Sequence, residues 1–459
     1  MDYGLDFANT GDEGRRVLLV AAVFPPTGGP GVQRSVKFAK YLPDFGWMPT
    51  VWATEHIGDL PHDSTLLDGL PETVEIHRWR PRYGGCTRRR VQYGHNANQG
   101  FSSRLVDAFD RRLRNTRRSS SLPDDHASWA RASVDPLCRL IEKKRIDVIY
   151  STFSPASNHL LGLTLRRKTG LPWVADFRDL WTDDYRYHEE SGKRRQAHHD
   201  LEKEILETAD AVIGVTERQT AILAAHVPSQ QDKFSTITNG YDPNDFAVKH
   251  TPLKKETFVL AHVGRFDRWR TSEALFEGLA RFVKGLGAQR DRFILRAVGH
   301  VGGHLHDDAH ATQARCEFTG YASHSRAVGE MCSADALLLG VPDGPNADSV
   351  IPAKLFEYLA SGRPILVVGP EGGECERIVR DTGAGLAVTF EPDTIAEALG
   401  TMFLVWQSGK EMAGCPHDRL APFNRVDLTG RLASVFDELS VAHATVGRPW
   451  HGHMEVCAP

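Results

Sequence analysis

The chain has 459 residues, of which 41% are hydrophobic and 25% are charged, and it carries a formal net charge of −4. This length is too great for one hydrophobic core, so two domains of about 200 residues each are expected. The composition is that of a globular protein, and the longest purely apolar run, 17–24, has eight residues, which is too few to cross a bilayer.

The seven cysteines are scattered along the chain and form no C-x-x-C pair. Such spacing predicts reduced thiols in a cytosolic protein and argues against a disulfide framework or a zinc site. The N-terminus is acidic and polar up to Arg15, which predicts a flexible leader over 1–14 and no signal peptide. We therefore expect a cytoplasmic protein whose membrane contact, if it has one, is peripheral and at the inner face.

The first half of the chain alternates between strand and helix signals. A buried-strand run at 17–23 leads into the glycine-rich loop FPPTGGPGVQ and a helical pattern at 34–45, the opening unit of a Rossmann-like domain. Further strands are predicted at 50–54, 74–77, 148–152, 173–177, 211–215 and 234–237, and further helices at 128–144, 158–169, 195–208 and 217–225. Seven strands with helices between them predict a parallel sheet in a first α/β domain over 15–249.

An arginine-rich insertion interrupts this domain at about 78–122. Twelve arginines and only two acidic residues lie between Arg78 and Arg118. This local positive charge is expected to contact phosphates or an anionic membrane surface. A solvated insertion without fixed structure explains the same composition equally well. Aromatic residues are sparse in it, so no nucleic-acid partner is expected.

The alternation restarts after a short polar linker at 250–256. Strands are predicted at 258–263, 293–298, 316–319, 336–339, 365–368 and 383–388, and helices at 272–286, 325–332, 352–362 and 392–407. They predict a second Rossmann-like domain over 250–420. A last helix at 424–439, within a segment over 421–445, is expected to pack back on the first domain, and 446–459 is expected to be a loose tail.

The segment SVIPAKLFEYLASGRPILVV, at 349–368, carries the strongest local signal for a ligand. Pro352 can occupy the first position of a helix and Gly362 can close that helix in a left-handed conformation. A lysine at 354 beside the positive end of such a helix predicts a phosphate site, and Glu357 one turn later could accept hydrogen bonds from ribose. An ordinary helix with a surface lysine is the alternative.

Two glycine-containing loops compete for the role of phosphate-binding loop. The first-domain loop reads G-G-x-G at Gly28, Gly29 and Gly31, which lacks the G-x-G-x-x-G spacing of a dinucleotide site. In the second domain, Gly264 and Arg265 follow the first strand, and Arg270 follows a short loop. Arginines and a lysine near a helix start suit the diphosphate of a nucleotide sugar.

Other polar clusters have weaker signals. Asp176, Arg178 and Asp179 follow a strand end, where they could bind an acceptor or form a structural Asp/Arg pair. Asp183 and Asp184 lack an evident third ligand for a metal. The histidines of the stretch after 298 are expected to be exposed loop residues, so no metal site is predicted there; they are His300, His304, His306 and His310.

Six motifs in this order and spacing resemble the retaining family 4 (group 1) glycosyltransferases of the GT-B fold, over about 15–440. They are FPPTGGPGVQR, DVIYSTFSPASNHLLG, LPWVADFRDLW, ITNGYD, GRFDRWR and IPAKLFEYLASGRPIL. The resemblance implies two Rossmann-like domains with parallel sheets facing across a cleft, a nucleoside-diphosphate sugar as co-substrate, and no catalytic metal or other cofactor.

The same resemblance implies roles for individual residues. Arg270, Lys354 and Glu357 would be the catalytic residues, with Arg270 and Lys354 at the diphosphate and Glu357 at the ribose. The acceptor side would be formed by the glycine-rich loop with Asp176, Arg178 and Asp179. The other donor-binding residues would be Gly264, Arg265, Ser349, Ile351, Asn239 and Gly240. One departure is Ser349, with Asp348 beside it, where the family has a glutamate, and this leaves the donor sugar open.

The sequence therefore predicts transfer of a sugar to a lipid-linked or polysaccharide intermediate or to a small molecule. Front-face attack, with the departing phosphate taking the acceptor proton, would need no conspicuous protein base. A nucleotide-sugar epimerase of the same fold and a catalytically silent nucleotide-sugar-binding protein are the alternatives.

Overall fold

A computed structural model describes residues 14–29, 31–55, 62–79, 122–185, 187, 192–247, 256–267, 272–410 and 412–445. Its first domain contains a seven-stranded parallel sheet in the order β3-β2-β1-β4-β5-β6-β7. The strands are β1 Arg15–Val20, β2 Trp47–Thr54, β3 Glu75–Trp79, β4 Val148–Phe153, β5 Trp173–Phe177, β6 Ala211–Gly214 and β7 Phe234–Thr236. The helices are α1 Val32–Tyr41, α2 Ala127–Lys144, α3 Ser157–Thr169, α4 Lys193–Thr208 and α5 Glu217–Ala225.

Both faces of this sheet are buried, which explains why its central strands read as continuous apolar runs. Val17 and Leu19 point to one face, where they pack with α1. Leu18 and Val20 point to the other face, where they pack with α2, α3 and α4. Because successive side chains of a strand alternate between faces, the four apolar residues at 17–20 contribute to two hydrophobic cores.

The second domain repeats the plan with six parallel strands in the order β10-β9-β8-β11-β12-β13. The strands are β8 Phe258–Val263, β9 Phe293–Val298, β10 Arg315–Phe318, β11 Ala336–Gly340, β12 Ile365–Val368 and β13 Gly385–Val388. The helices are α6 Glu273–Leu286, α7 Gly303–Ala311, α8 His324–Ser333, α9 Lys354–Ala360, α10 Glu374–Thr382 and α11 Pro392–Gln407.

The last helix, α12 Arg425–Thr445, returns to the first domain. Leu428, Leu432 and Phe436 are buried in the core that contains β1 and α1. The ring of Phe436 lies 5.2 Å from that of Trp47, and Asp437 Oδ1 accepts a 2.8 Å hydrogen bond from Trp47 Nε1. Helix α12 therefore completes the hydrophobic core that contains β1 and α1.

The two sheets meet through segments that follow strand ends. Thr216, just after β6, donates from Oγ1 to the carbonyl oxygen of Ser349 at 3.1 Å. Asn346, after β11, donates from Nδ2 to the carbonyl oxygen of Asp183 at 2.9 Å. Since these residues come after the strands, the carboxyl edges of the two sheets face each other, where ligands of open parallel sheets bind. No helix in the described part of the chain is both long and apolar enough to span a membrane.

Several local predictions need correction or lie outside the described residues. Helix α9 starts at Lys354, so Pro352 precedes it, while Gly362 does adopt a left-handed conformation. The histidine-containing stretch is not a loop, because 303–311 form helix α7. Helix α10 was not predicted at all. Residues 1–13 of the leader, 80–121 of the arginine-rich insertion, Arg270 and the tail lie outside the described residues.

Candidate functional site

The second-domain part of the site is built where helix α9 meets the end of strand β8. Tyr358 Oη accepts from the backbone N of Val263 at 2.7 Å and contacts the carbonyl oxygen of the same residue at 3.2 Å. Gly264 follows with φ of +139°, and a Cβ added there would lie 3.5 Å from Lys354 Cε. This docking brings together Gly264, Lys354 and Glu357, three of the residues predicted to bind the donor.

Lys354 and Glu357 form a partly buried ion pair. The Lys354 Nζ to Glu357 Oε2 distance is 2.8 Å, and the side chains are 27% and 12% exposed, respectively. Burial would raise the pKa of Glu357, but the charges of Lys354 and His324 outweigh it and hold that pKa below its usual range. Glu357 is therefore an anionic acceptor at neutral pH, with an ammonium group beside it.

A chain of alternating charges links this pair to the first domain. His324 Nδ1 lies 3.9 Å from Glu357 Oε1, and His324 Nε2 lies 2.9 Å from Asp245 Oδ2. Asp245 also contacts Lys37 Nζ at 3.1 Å, and Lys37 Nζ contacts Asp242 Oδ2 at 2.6 Å. We call this set, from Lys354 through Glu357, His324, Asp245 and Lys37 to Asp242, the interdomain charge chain.

The other predicted donor-binding residues of the second domain have different surroundings. Ser349 is fully buried, and its Oγ donates to the carbonyl oxygen of Asn346 at 2.6 Å, so its side chain is directed into the protein. Ile351 is buried in the core. Arg265 is largely exposed, and its Nε lies 2.8 Å from Asp267 Oδ2. Of these three, only Arg265 carries a charged side chain.

Asn239 and Gly240, also predicted to bind the donor, lie at the connection between the domains. The carbonyl oxygen of Gly240 accepts from Arg425 Nε at 3.0 Å. A Cβ at this glycine would lie 2.2 Å from the carbonyl oxygen of Phe423. Asn239 Oδ1 lies 3.5 Å from Arg34 Nη1. These contacts join Asn239 and Gly240 to Arg34 and to the segment 423–425, which leads into α12 on the first domain.

The first-domain part of the site joins three loops that follow β1, β4 and β5. The Arg178 guanidinium donates to the carbonyl oxygen of Gly31, and its Nη2 also donates to the carbonyl oxygen of Ser154 at 2.9 Å. A Cβ at position 31 would overlap this guanidinium, and Gly29 has φ of +125°. The structure thus brings the glycine-rich loop, with Gly28 buried in it, beside Arg178, whose charge also interacts with Asp179.

Asp176 lies beneath these loops and is fully buried. Its carboxylate pairs with the Arg34 guanidinium at 2.6 Å and accepts from Tyr150 Oη at 2.7 Å and Thr152 Oγ1 at 2.9 Å. Burial would raise the pKa of Asp176, but the Arg34 charge and these donors lower it. Of the two roles considered from the sequence, the structure favours the Asp/Arg pair, with Arg34 as the partner instead of Arg178.

Arg34 also fixes the end of the first domain. Its Nη2 donates to the carbonyl oxygen of Ile237 at 2.8 Å, and its Nη1 donates to that of Thr238 at 3.0 Å. Sequence reasoning missed this residue, although it closes the quoted motif FPPTGGPGVQR. The available signal was an arginine at the end of a glycine-rich motif.

A second buried carboxylate lies near the cleft, behind the strand β5 loop. Glu202 Oε2 accepts from the backbone N of Thr182 at 3.2 Å, and burial raises the pKa of Glu202 to about 7. His226 Nε2 lies 2.7 Å from Asp183 Oδ2, so Asp183 is the partner of a histidine. Within the described ranges, no three His, Cys, Asp or Glu side chains are grouped as a metal site would need.

Comparison with known proteins extends these observations. Residues 28–240 match the model of a family described as the glycosyl transferase 4-like domain. A D-inositol 3-phosphate glycosyltransferase from Kribbella flavida is 27% identical over 123 residues, which is 25% of this chain and 29% of that protein. The chain thus spans less than a third of this curated relative.

Two solved structures show the same architecture along nearly the whole chain. Sucrose-phosphate synthase from Thermosynechococcus elongatus has a TM-score of 0.66 at 16% identity, covering 93% of this chain and 100% of that one. HepE from Anabaena, solved with UDP-glucose, has a TM-score of 0.57 at 13% identity, covering 94% and 99%. Likeness at such low identity establishes the shared fold. Over 28–240 the chain is therefore similar to the glycosyl transferase 4-like domain, and its two facing parallel sheets have the architecture of the GT-B fold.

Proposed function

We propose that this protein is a retaining glycosyltransferase that transfers a sugar from a nucleoside-diphosphate sugar to an acceptor. The observation that carries the proposal is the Lys354–Glu357 pair beside Gly264, at the carboxyl edge of the second sheet and facing the first domain. The family of the first domain and the UDP-glucose found in the HepE structure support it.

Each member of the pair has a distinct task in this proposal. Lys354 Nζ turns from Glu357 to the diphosphate and neutralises charge that grows as the glycosidic bond breaks. Glu357 accepts hydrogen bonds from the ribose hydroxyls, which orients the nucleotide. Gly264, with φ of +139°, lets the backbone after β8 lie close to the aliphatic part of Lys354, which a Cβ there would contact at 3.5 Å. Arg270, which lies outside the described residues, is proposed as the second cation at the diphosphate.

The acceptor is proposed to bind on the first-domain side, at the loop of Gly28, Gly29 and Gly31 with Arg178. In a retaining reaction by front-face attack, the acceptor oxygen approaches on the leaving-group side, and the departing phosphate oxygen takes its proton. The protein then needs to stabilise the leaving group but supplies no base. We propose that the reaction needs no metal, in which case a chelator leaves the rate unchanged.

The first experiment measures thermal stabilisation by UDP, GDP, ADP and their glucose conjugates. A nucleotide at a hundred times its Kd adds about 2.7 kcal/mol of stability. Lys354→Ala and Glu357→Gln are expected to lose this stabilisation, while the exposed controls Lys284→Ala and Glu397→Gln retain it. Stabilisation that is equal in all five proteins would place the nucleotide elsewhere.

Turnover is tested with the nucleotide that binds. Arg270→Ala is expected to lose about a hundredfold or more in rate, because removing one group that stabilises transition-state charge costs about 3 to 4 kcal/mol. Sugar isomerisation without an acceptor would instead identify an epimerase. Binding with neither transfer nor slow hydrolysis would identify a silent binding protein.

We also propose that the acceptor is a lipid-linked or polysaccharide intermediate, and that the arginine-rich segment attracts an anionic membrane surface. Deleting 84–122 should then reduce flotation with vesicles that contain anionic lipid. Unchanged flotation would refute this part of the proposal without affecting the nucleotide site.

A further inference from the structure

His324 is the only member of the interdomain charge chain that contacts both Asp245, on the turn 243–246, and the proposed ribose-binding carboxylate, Glu357. It is the first residue of α8 and is 17% exposed. The charged groups facing its imidazole are Asp245, on the turn 243–246, and Glu357 and Lys354, on α9. Lys37, on α1, reaches the far side of Asp245.

The two ring nitrogens are arranged for an imidazolium. With Nε2 at 2.9 Å from Asp245 and Nδ1 at 3.9 Å from Glu357, a protonated ring directs an N–H toward each carboxylate. A neutral ring that keeps its proton on Nε2 presents a lone pair toward Glu357 instead. Burial would lower the pKa of His324, but these carboxylates outweigh it and raise that pKa above its ordinary value.

In the proposed function, nucleotide binding changes which cation pairs with Glu357. In the structure, Glu357 Oε2 is held by Lys354 Nζ at 2.8 Å. If that ammonium turns to a diphosphate, its attraction for Glu357 weakens. The remaining described cation that contacts this carboxylate is His324.

We propose that His324 is a positioning residue of the nucleotide site, which holds Glu357 in place for the ribose when Lys354 engages the diphosphate. This inference rests on the proposed function. Because Asp245, at the end of the first domain, holds the same ring, binding of the nucleotide is coupled to the contact between the two domains.

The test measures, by calorimetry between pH 6 and 9, the affinity for whichever glucose conjugate of UDP, GDP or ADP binds wild type. A sugar conjugate is used because a free nucleoside diphosphate carries a terminal phosphate that itself titrates in this range. The wild-type affinity should fall as the pH rises through the pKa of His324, since the proton that holds Glu357 is lost. The fall should be about tenfold for each unit by which nucleotide binding raises that pKa.

Four variants distinguish positioning from a merely structural role. His324→Gln should bind weakly at all pH values, and His324→Lys, which keeps a charge, should bind with an affinity independent of pH over this range. Asp245→Asn removes one of the two carboxylates that favour the imidazolium, so the midpoint of the affinity profile should move to lower pH. His310→Gln, on α7, is the matched control and should keep the wild-type profile.

The outcomes separate the two proposals. If wild type binds none of the conjugates, the proposed function fails, and this inference fails with it. If wild type binds and both His324→Gln and Asp245→Asn keep its pH profile, the inference is overturned while the proposed function stands. Unfolding midpoints of all variants, measured at each pH, identify any loss of binding that comes from loss of folding.

Discussion

Asp176→Asn should be among the most destabilising conservative changes in the first domain. The substitution leaves the Arg34 guanidinium buried with a neutral partner, although the two side chains are 0% and 2% exposed in the wild type. Removing one partner of a buried ion pair costs about 3 to 5 kcal/mol, because the remaining charge is uncompensated. Arg34 cannot move to solvent without abandoning the carbonyl oxygens of Ile237 and Thr238.

Urea unfolding followed by tryptophan fluorescence measures this cost. Six of the nine tryptophans lie in the first domain, so the signal reports mainly on that domain. Glu204→Gln is the matched control, since its carboxylate pairs with Arg167 at the surface, and it should cost less than about 1 kcal/mol. The reasoning would be refuted if Asp176→Asn, with an unchanged urea dependence, also cost less than about 1 kcal/mol.

The pH dependence of this variant has a definite sign. The pKa of Asp176 is lowered in the folded protein, so its contribution to stability is present above the unfolded pKa and is lost as the pH falls through the folded pKa. The difference between wild type and Asp176→Asn should therefore shrink under acid. A difference that grows under acid would contradict the ion pair as its cause.

Three further changes test other parts of the structure. The stability of the wild type should fall between about pH 4.5 and 7, because burial raises the pKa of Glu202 to about 7 and makes its ionisation unfavourable in the folded protein. Glu202→Gln should remove this fall, as unfolding curves across that range would show. An unchanged slope of stability against pH in the variant would contradict it. Gly240→Ala should cost about 1 to 3 kcal/mol in urea unfolding, because its Cβ would lie 2.2 Å from the carbonyl oxygen of Phe423. A neutral result would mean that the backbone around position 240 relaxes without cost. Arg218→Ala breaks an ion pair with Asp348 whose side chains are 46% and 40% exposed, so the variant should lose less than about 1 kcal/mol of stability, and less still in high salt. A larger loss would mark this contact as a principal link between the domains.

The sheets could be predicted because their central strands are mostly apolar. Trp173–Phe177 and Phe258–Val263 have the predicted bounds, since both faces of these strands are buried and Pro172, Arg178, Thr257 and Gly264 flank them. Helix α7 was missed because its apolar signal is weak. Only Leu305 and Ala309 are buried among its nine residues, and two glycines precede the histidines. The local sequence therefore underestimated the tendency of this segment to be helical, because packing against the sheet also stabilises the helix.

The residues of the candidate site also divide into those that the local sequence brings together and those that only the fold brings together. Lys354 and Glu357 were predictable because they are three residues apart on one helix. His324, Asp245 and Lys37 come from three different elements, and nothing in their local sequences brings them together. The Arg34–Asp176 pair joins residues 142 positions apart, so it becomes visible only when β5 and α1 are placed on one sheet.

The returning helix α12 has a consequence for how the chain matures. Leu428 and Phe436 complete a core that Val17 and Trp47 begin, so nearly the whole protein must be synthesised before that core is closed. The newly made first domain would carry an open apolar face on the ribosome until its last helix emerges. A fragment ending near 250 should therefore be prone to aggregation, and chaperones should bind it in preference to the full chain.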